Sequence, residues 1–355
     1  MSLHESSGAL FGALAAAALA IGLSSTSHVA AEPQAPRKAS APVVAAIDGV
    51  EVVVSDLARS RAFFEGIGFT SGGEDELSGL AADQRTGIAG AHVRRVKLAL
   101  GSEHLALLQY LSPADGRLVP LDTRGNDLWF QHVAIVVSDM ARAFSWLRSR
   151  HVAYVSSAPQ TLPQWNHAAA GIQAFYFADP DGHTLEVIHF PKGKGDSRWQ
   201  THTSCTRVPL ELCLFLGIDH TAITVSDTDQ SLAFYRDRLG LRVTGESENY
   251  GPEQEHLNGV FGARLRITAL RAASGPGIEL LQYLSPRGGR PLPGDARAND
   301  LFHWQVVVSA SDSAAVGNAA TATGGRAISQ GAASHEAFVR DRDGHALRVH
   351  DSGGN

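Results

Sequence analysis

The sequence predicts an α+β fold built from four copies of one β-α-β-β-β module, arranged as two tandem domains. The prediction depends on repeated blocks that keep the same order along the chain. The blocks are IDGVEVVVSD at 47–56 and IDHTAITVSD at 218–227, LLQYLSP at 107–113 and 280–286, NDL at 126–128 and 299–301, and DPDGH at 179–183 with DRDGH at 341–345. Repeats in one order indicate a duplicated domain.

Each half of the chain divides again. The segment HVAIVVSD at 132–139 repeats the ending of the strands that begin at Ile47 and Ile218, and a looser fourth copy begins at Trp304. We number the modules 1 to 4 from these four starting points. Their opening strands are β-branched and apolar, which is typical of buried strands.

A helix is expected after each opening strand. A Ser-Asp pair follows the strand in modules 1 to 3, and aspartate is a favourable N-cap there. Leu232, Tyr235 and Leu239 then fall on one helical face of module 3. The Asp-Gly pairs inside the DPDGH and DRDGH blocks predict tight hairpins between the last two strands of modules 2 and 4.

The beginning of the chain differs in composition from the rest. Ala9–Leu23 is an uncharged run too short to span a bilayer comfortably, and small residues follow at 29–31. This pattern predicts a signal peptide, although residues 1–8 lack Lys and Arg, so a disordered Ala-rich tail is the alternative. The predicted segments are a signal peptide at 1–31, a flexible lead-in at 32–44, domain 1 at 45–190, an exposed linker at 191–215 and domain 2 at 216–351.

Composition limits the partners and the location of the protein. The chain has 355 residues, 44% hydrophobic and 19% charged, with a formal net charge of -6. The absence of a long basic run gives no electrostatic reason to expect nucleic acid. We expect a small-molecule substrate, a monomer or homodimer without a membrane span in the mature chain, export to the periplasm or beyond if the leader is cleaved, and a cytoplasmic protein otherwise. Cys205 and Cys213 can pair only in an oxidising compartment.

Paired modules with these signatures resemble the vicinal oxygen chelate superfamily, which includes glyoxalase I, extradiol dioxygenases, methylmalonyl-CoA epimerases and bleomycin resistance proteins. The resembling parts are residues 45–190 and 216–351. The resemblance implies that paired modules curl around a cavity, with a divalent metal held by residues of the opening and closing strands.

The eight strand positions that the resemblance marks can be identified in this chain. They are Gly49 and Ala106 in module 1, His132 and Glu186 in module 2, His220 and Glu279 in module 3, and Gln305 and Arg348 in module 4. Only modules 2 and 3 keep a His/Glu pair. Two imidazoles and two carboxylates suit Zn, Ni, Fe, Co or Mn.

We therefore expect one metal site shared by modules 2 and 3, with His132, Glu186, His220 and Glu279 as ligands, and a degenerate site between modules 1 and 4. Two partial sites, or sites completed by a dimer, are the alternative. By resemblance to glyoxalase I, the protein would be a lyase or isomerase acting through an enediolate, with Glu186 or Glu279 as the base.

Two other functions remain open. A non-haem iron ring-cleaving dioxygenase needs two His and one carboxylate, but the family's dioxygenases take their ligands from modules 3 and 4, where Gln305 and Arg348 argue against it. A non-catalytic binding or resistance protein is favoured by the loss of ligands from half the modules.

Several further residues are expected to have lesser roles. His183 and His345 belong to the turns, and Asn258–Gly259 predicts another turn although His256 and Asn258 can reach the cavity. The remaining candidates near the site are a loop histidine, a strand tyrosine and three aromatic substrate contacts: His167, Tyr176, Trp129, Trp165 and Tyr250.

Overall fold

The computed structural model of the protein describes residues 43–200, 212–330 and 335–352. The predicted signal peptide, nearly all of the lead-in and Cys205 lie outside these residues, so the structure does not test the leader or the cysteine pair. Within the described ranges, no helix has both the length and the apolar character needed to cross a membrane.

The predicted module order is present four times, which confirms the α+β fold. Module 1 contains β1 (Val44–Val53), α1 (Leu57–Glu65), β2 (Thr70–Ser78), α2 (Gly79–Thr86), β3 (His92–Leu100) and β4 (Glu103–Ser112). Module 2 contains β5 (Gln131–Val137), α3 (Met140–Ser149), the short β6 (Ala153–Tyr154) and β7 (Gln160–Thr161), β8 (Gln173–Ala178) and β9 (Thr184–His189). Module 3 contains β10 (Phe215–Thr224), α4 (Thr228–Tyr235), β11 (Arg242–Tyr250), α5 (Pro252–Asn258), β12 (Arg264–Arg271) and β13 (Gly277–Ser285). Module 4 contains β14 (Trp304–Ala310), α6 (Ser313–Ala322), β15 (Arg326–Gln330), β16 (Glu336–Arg340) and β17 (Ala346–Asp351).

Aspartate caps the helix that follows each opening strand. In each of these helices the aspartate side chain accepts a hydrogen bond from a backbone N–H of the first turn, and the four caps are Asp56, Asp139, Asp227 and Asp312. The predicted helical face of module 3 extends too far, because α4 ends at Tyr235 and does not include Leu239. Leu239 is buried beyond the helix, in a turn where its N–H donates to Phe234 O.

The strands form two sheets that cross the sequence halves. One sheet has the order β15-β16-β17-β14-β1-β4-β3-β2 and joins modules 1 and 4. The other has the order β11-β12-β13-β10-β5-β9-β8-β6 and joins modules 2 and 3, with β7 pairing β8. At each centre, two opening strands run antiparallel: β1 beside β14, and β5 beside β10. Modules 2 and 3 therefore share one continuous sheet.

The repeated Asn-Asp-Leu block fastens the modules that share a sheet. Asp127, just before β5, accepts hydrogen bonds from Arg290 N at 2.9 Å, Nε at 3.0 Å and Nη2 at 2.7 Å. Asp300, just before β14, accepts the equivalent bonds from Arg117 at 2.9, 3.1 and 2.7 Å. We call each of these Arg–Asp pairs an arginine clasp. Since Arg290 follows β13 and Arg117 follows β4, the Arg290–Asp127 clasp joins modules 3 and 2, and the Arg117–Asp300 clasp joins modules 1 and 4.

The two largest hydrophobic clusters follow the halves of the chain, whereas the three smaller clusters combine modules that share a sheet. One cluster combines apolar residues of modules 1 and 2, among them Phe64 and Phe175, with a few from modules 3 and 4. A second cluster mainly combines residues of modules 3 and 4, such as Tyr235 and Val339. Each half thus has its own core, while the strands of both halves build the sheets.

Among residues 191–200 of the predicted linker, all but one are exposed or half-buried. A 3-10 helix occupies Ser197–Gln200, and the Trp199 ring is buried. The indole Nε1 donates to Asp219 Oδ1 at 3.1 Å. This residue has a structural partner that the Lys/Gly-rich composition of the segment did not reveal.

Candidate metal centre

The four sequence-predicted ligands come together on the sheet formed by modules 2 and 3. His132 lies on β5 opposite Ala222, and His220 lies on the adjacent β10 opposite Ala134. Their ring centroids are 5.6 Å apart. Glu186 pairs with Ala134 from the other side, on β9.

Glu279 completes the set from β13. It pairs with Ala222, just as Glu186 pairs with Ala134, so each carboxylate stands two strand positions beyond the histidine of its own module. Side chains two positions apart in a strand share a face. The two modules consequently direct both His/Glu pairs toward one point.

The ligand atoms are close enough to share a cation. Glu186 Oε2 lies 3.1 Å from His132 Nε2 and 3.5 Å from His220 Nε2. Glu279 Oε2 lies 3.4 Å from His220 Nε2. The potential ligand atoms of His132, Glu186 and His220 all fall within 4.8 Å of one another. Glu279 stands at the edge of this triad.

Unpaired polar atoms at this site fit a metal. His132 Nδ1 and Nε2 and His220 Nε2 are buried and make no hydrogen bond of good geometry with any described residue, although Glu186 Oε2 lies near both Nε2 atoms. Leaving such atoms unsatisfied costs free energy, so buried imidazole nitrogens normally find a donor, an acceptor or an ion. Nitrogen and carboxylate ligands in this number suit Zn and other transition metals.

Asp219 orients His220 through its other ring nitrogen. Asp219 Oδ2 lies 3.0 Å from His220 Nδ1, while Oδ1 accepts hydrogen bonds from Arg271 Nη2 at 2.9 Å and from Trp199. A β-bulge between Ile218 and His220 turns the Asp219 side chain to this position. With Nδ1 engaged, Nε2 is left to face Glu186, as metal-binding histidines require.

The local charges shift the pKa values of the acidic groups in opposite directions. Burial would raise the pKa of Glu186, but the neighbouring His132 and His220 outweigh it and lower the pKa to about 2. Burial raises the pKa of Glu279. The attraction of His220 would lower this pKa, but repulsion from Glu186 and Asp219 offsets that attraction. Burial would likewise raise the pKa of Asp219, but His220 and Arg271 lower it. Glu186 is therefore the firmly ionised carboxylate of the pair.

A cavity of 210 Å³ opens beside these residues, and Glu186, His220 and Glu279 line it. Its walls are largely apolar, including Leu162 and Ile267. A cavity that combines apolar walls with a few converging polar groups is the usual form of a small-molecule site.

The other sequence candidates divide into those near the cavity and those away from it. The Tyr176 ring packs 4.8 Å from the His132 ring and lines the cavity, a contact that its strand position did not reveal. Asn258 ends α5, as the turn prediction implied, and also donates to Tyr283 OH at 2.9 Å within the cavity wall. His167 and His256 are exposed.

The remaining candidates have structural contacts. Trp165 and Tyr250 are exposed and stack on each other at 4.3 Å, whereas Trp129 lies beneath the Arg290 guanidinium. His183 and His345 pair with the first aspartates of their turns at 2.8 and 3.1 Å, which agrees with their predicted structural role.

The equivalent place in the other sheet holds a salt bridge. Glu51, two residues after Gly49, is buried and lies 3.1 Å from Arg348 and 3.3 Å from Arg95. Gln305 Nε2 also donates to it. Sequence comparison of ligand positions missed Glu51, because the ligand position of module 1 is the glycine. Arg348 thus faces a carboxylate supplied by the chain itself.

Comparison with known proteins finds a family model that matches both halves of the chain. The family model of the Glyoxalase/Bleomycin resistance protein/Dioxygenase superfamily matches residues 46–187 and 217–349. A 2-epi-5-epi-valiolone epimerase from Actinomyces sp is 35% identical over 106 residues, or 30% of this chain and 55% of that protein. The match thus spans about half the length of this curated relative.

Solved structures share the fold over most of the chain. Glyoxalase I from Zea mays has a TM-score of 0.58 and 17% identity, covering 86% of this chain and 92% of its own. A provisionally assigned dioxygenase from Bacillus subtilis subsp. subtilis str. 168 has a TM-score of 0.52 and 13% identity, covering 89% and 87%. At these identities the likeness shows a shared fold.

Proposed function

Since the chain belongs to the glyoxalase/bleomycin resistance protein/dioxygenase superfamily, we propose that it is a divalent-metal-dependent isomerase or lyase of the glyoxalase type. Its reaction would begin with removal of a proton from a carbon next to a carbonyl. The observation that supports this most is the convergence of His132, Glu186 and His220 with imidazole nitrogens that have no other partner.

His132, Glu186 and His220 would hold the ion, and Glu279 would complete the set. When bound, a divalent ion supplies Lewis-acid polarisation of adjacent substrate oxygens. The bond between Asp219 and His220 Nδ1 holds the imidazole in the orientation that presents Nε2. The apolar cavity walls exclude water from the reacting carbon and strengthen the electrostatic interactions there.

Glu279 is the better placed base. Glu186 approaches both imidazoles and its side chain is 5% exposed, whereas Glu279 approaches only His220 and its side chain is 24% exposed toward the cavity. A base must reach the substrate proton within hydrogen-bond distance. Glu279 would take the proton from the substrate carbon, leaving the negative charge on the adjacent oxygens, and return the proton to the neighbouring carbon.

The curated relative supports the isomerase reading. It is named as an epimerase, and inversion beside a carbonyl also starts with removal of that proton. The same first step therefore serves epimerisation and glyoxalase chemistry. The substrate can differ from that of the relative, because the similarity covers only 55% of that protein.

Hydrogen exchange tests this proposal with a small panel of carbonyl compounds in place of the natural substrate. The full chain would be stripped with a chelator, reloaded separately with Zn, Ni, Co, Mn or Fe(II), and incubated with hydroxyketones and the methylglyoxal–glutathione adduct in D₂O. We expect metal-dependent deuterium incorporation at the carbon next to the carbonyl, visible by NMR, and its loss in Glu279→Gln. A Glu279→Gln variant that keeps full exchange would remove this residue from the role of base.

Metal analysis tests the ligands. His132→Ala and His220→Ala should each lose metal, while Gln305→Ala, at the position equivalent to His132 in module 4, should keep it. Full metal content in either histidine variant would contradict a shared site. Loss of metal in Gln305→Ala as well would show that the histidine effects come from general destabilisation.

A dioxygenase is the second candidate, because His132, His220 and Glu186 form a two-histidine, one-carboxylate set. Oxygen consumption by the Fe(II)-loaded protein with catechols distinguishes it from the isomerase. Binding of small molecules by a metal-free protein, without exchange or oxygen consumption, would instead indicate a non-catalytic binding protein.

A further inference from the structure

A second opening adjoins the candidate metal centre and contains three arginines. It is a cleft of 650 Å³, and Arg198, Arg242 and Arg271 line it. Asp219 and Phe190 line both this cleft and the 210 Å³ cavity. The cleft therefore lies on the Asp219 side of His220, away from the face that His220 turns to Glu186.

Two of the arginines stand directly opposite each other. Arg242, at the start of β11, is the register partner of Arg271, at the end of β12. Like charges at directly opposed strand positions repel and destabilise a sheet. The same register in module 1 pairs Thr70 with Ala99, so the shared architecture does not require cations here.

The charges of the described cleft leave one cation unmatched. Arg271 bonds Asp219, and Arg198 lies close to Glu103 and Asp196. Arg242 is exposed and has no ion pair with any described residue. Asp219 takes two N–H groups of Arg271, one through its carbonyl oxygen and one through its carboxylate. Because a guanidinium carries five N–H groups, the others remain for a ligand.

From this geometry we propose that the cleft binds an anionic group of the substrate, a phosphate or a carboxylate, through Arg242 and Arg271. The inference rests on the proposed function, since the substrate would place its carbonyl at the metal centre and extend past Phe190 and Asp219 into the cleft. Arg242 would act in recognition. Arg271 would combine recognition with the positioning of Asp219.

Direct anion binding tests the cleft separately from catalysis. Calorimetric titration of the full chain with inorganic phosphate and with malonate measures each source of negative charge. We expect wild type to bind at least one of them and Arg242→Ala to bind it about tenfold more weakly, because one charge-assisted contact is lost. Arg264→Ala, an exposed arginine at the other end of β12 outside the cleft, is the matched control and should bind as wild type does.

A substrate pair links the cleft to the reaction. D-xylulose and D-xylulose 5-phosphate carry one hydroxyketone, with and without a phosphate. If phosphate is the group recognised, Arg242→Ala should reduce the ratio of kcat/KM for phosphorylated over neutral substrate in deuterium exchange by about tenfold, and Arg264→Ala should leave it unchanged.

The outcomes separate the two proposals. Absence of anion binding by wild type, or equal binding by Arg242→Ala, overturns the anion cleft even when deuterium exchange persists. Anion binding that depends on Arg242, in a protein that shows no exchange with any metal, supports the cleft and overturns the isomerase.

Discussion

Glu186 and Arg348 occupy equivalent positions in the two sheets and carry opposite charges. Glu186 on β9 pairs with Ala134 of the central strand, and Arg348 on β17 pairs with Val307 in the same parallel arrangement. Where Glu186 faces two imidazoles, Arg348 faces the carboxylate of Glu51 at 3.1 Å. In the sheet of modules 1 and 4, the positive charge beside the buried carboxylate thus comes from the side chain of Arg348.

The pairing of the Arg348 guanidinium with Glu51 predicts that loss of Arg348 lowers the free energy of unfolding. Arg348→Met leaves the buried Glu51 with Arg95 as its remaining cationic partner, and removing one member of a buried ion pair costs about 3 kcal/mol. Urea denaturation should show this loss. Metal content should remain that of wild type, because Arg348 lies on the other sheet.

A double variant checks the cause. Glu51→Gln combined with Arg348→Met removes both charges, so it should be more stable than Arg348→Met alone. If the double variant is the less stable of the two, repacking around Met, rather than an uncompensated Glu51, explains the single variant.

The same carboxylate predicts a dependence of stability on pH. Burial would raise the pKa of Glu51, but Arg348 and Arg95 outweigh it and lower the pKa below the ordinary 4.5. The stabilisation is therefore fully present above the unfolded-state value and is lost as pH falls through the folded-state pKa. Melting curves of wild type and Glu51→Gln should differ most near neutrality and converge as the pH falls from the unfolded-state pKa through the lower folded-state pKa. A constant difference across that range would assign the effect to packing.

Asp219 and Asp48 offer a matched pair for the orientation of His220. Both stand at β-bulges of opening strands, but Asp219 contacts a candidate metal ligand and Asp48 contacts His350 at 3.0 Å. Asp219→Asn should weaken metal affinity by about 10- to 100-fold, as loss of a carboxylate partner to a ligand histidine does. Competition with a fluorescent chelator measures this. Asp48→Asn should bind metal as wild type does, and an equal loss in both variants would contradict a local role.

The repeats made most of the fold predictable, and the family resemblance marked the strand positions of the candidate site. Because strand position is copied with the module, His132, Glu186, His220 and Glu279 could be identified at those positions, and the structure brings them together. The pairing of module 2 with module 3 depends on contacts between strands distant in sequence, such as β5 with β10. Local periodicity cannot determine such a contact, and it was inferred from the family resemblance.

The residues that the sequence analysis did not predict were missed for a different reason. Asp219 and Glu51 stand one before and two after the compared strand positions, and a β-bulge and a salt bridge give them their roles. The pattern of residue types along the sequence predicts neither the β-bulge nor the salt bridge. Helix α5 was also missed, although Pro252 at its start and Gly259 with a φ of 67° at its end are ordinary helix signals.

The two arginine clasps should contribute equally to stability but unequally to metal binding. Arg290 and Arg117 hold Asp127 and Asp300 with nearly identical bonds, so Arg290→Ala and Arg117→Ala should each lower the free energy of unfolding by about 1.5 kcal/mol. Asp127 lies just before β5, which carries His132, whereas Asp300 lies just before β14 of the other sheet. Arg290→Ala should therefore weaken metal affinity more than Arg117→Ala does.

Denaturation and chelator competition on the same two proteins test both parts of this prediction. Equal losses of stability with a metal defect confined to Arg290→Ala would show that the clasp positions the opening strand of the candidate metal centre. Equal metal affinities in the two variants would show that β5 is held in place by its pairing with β9 and β10 alone.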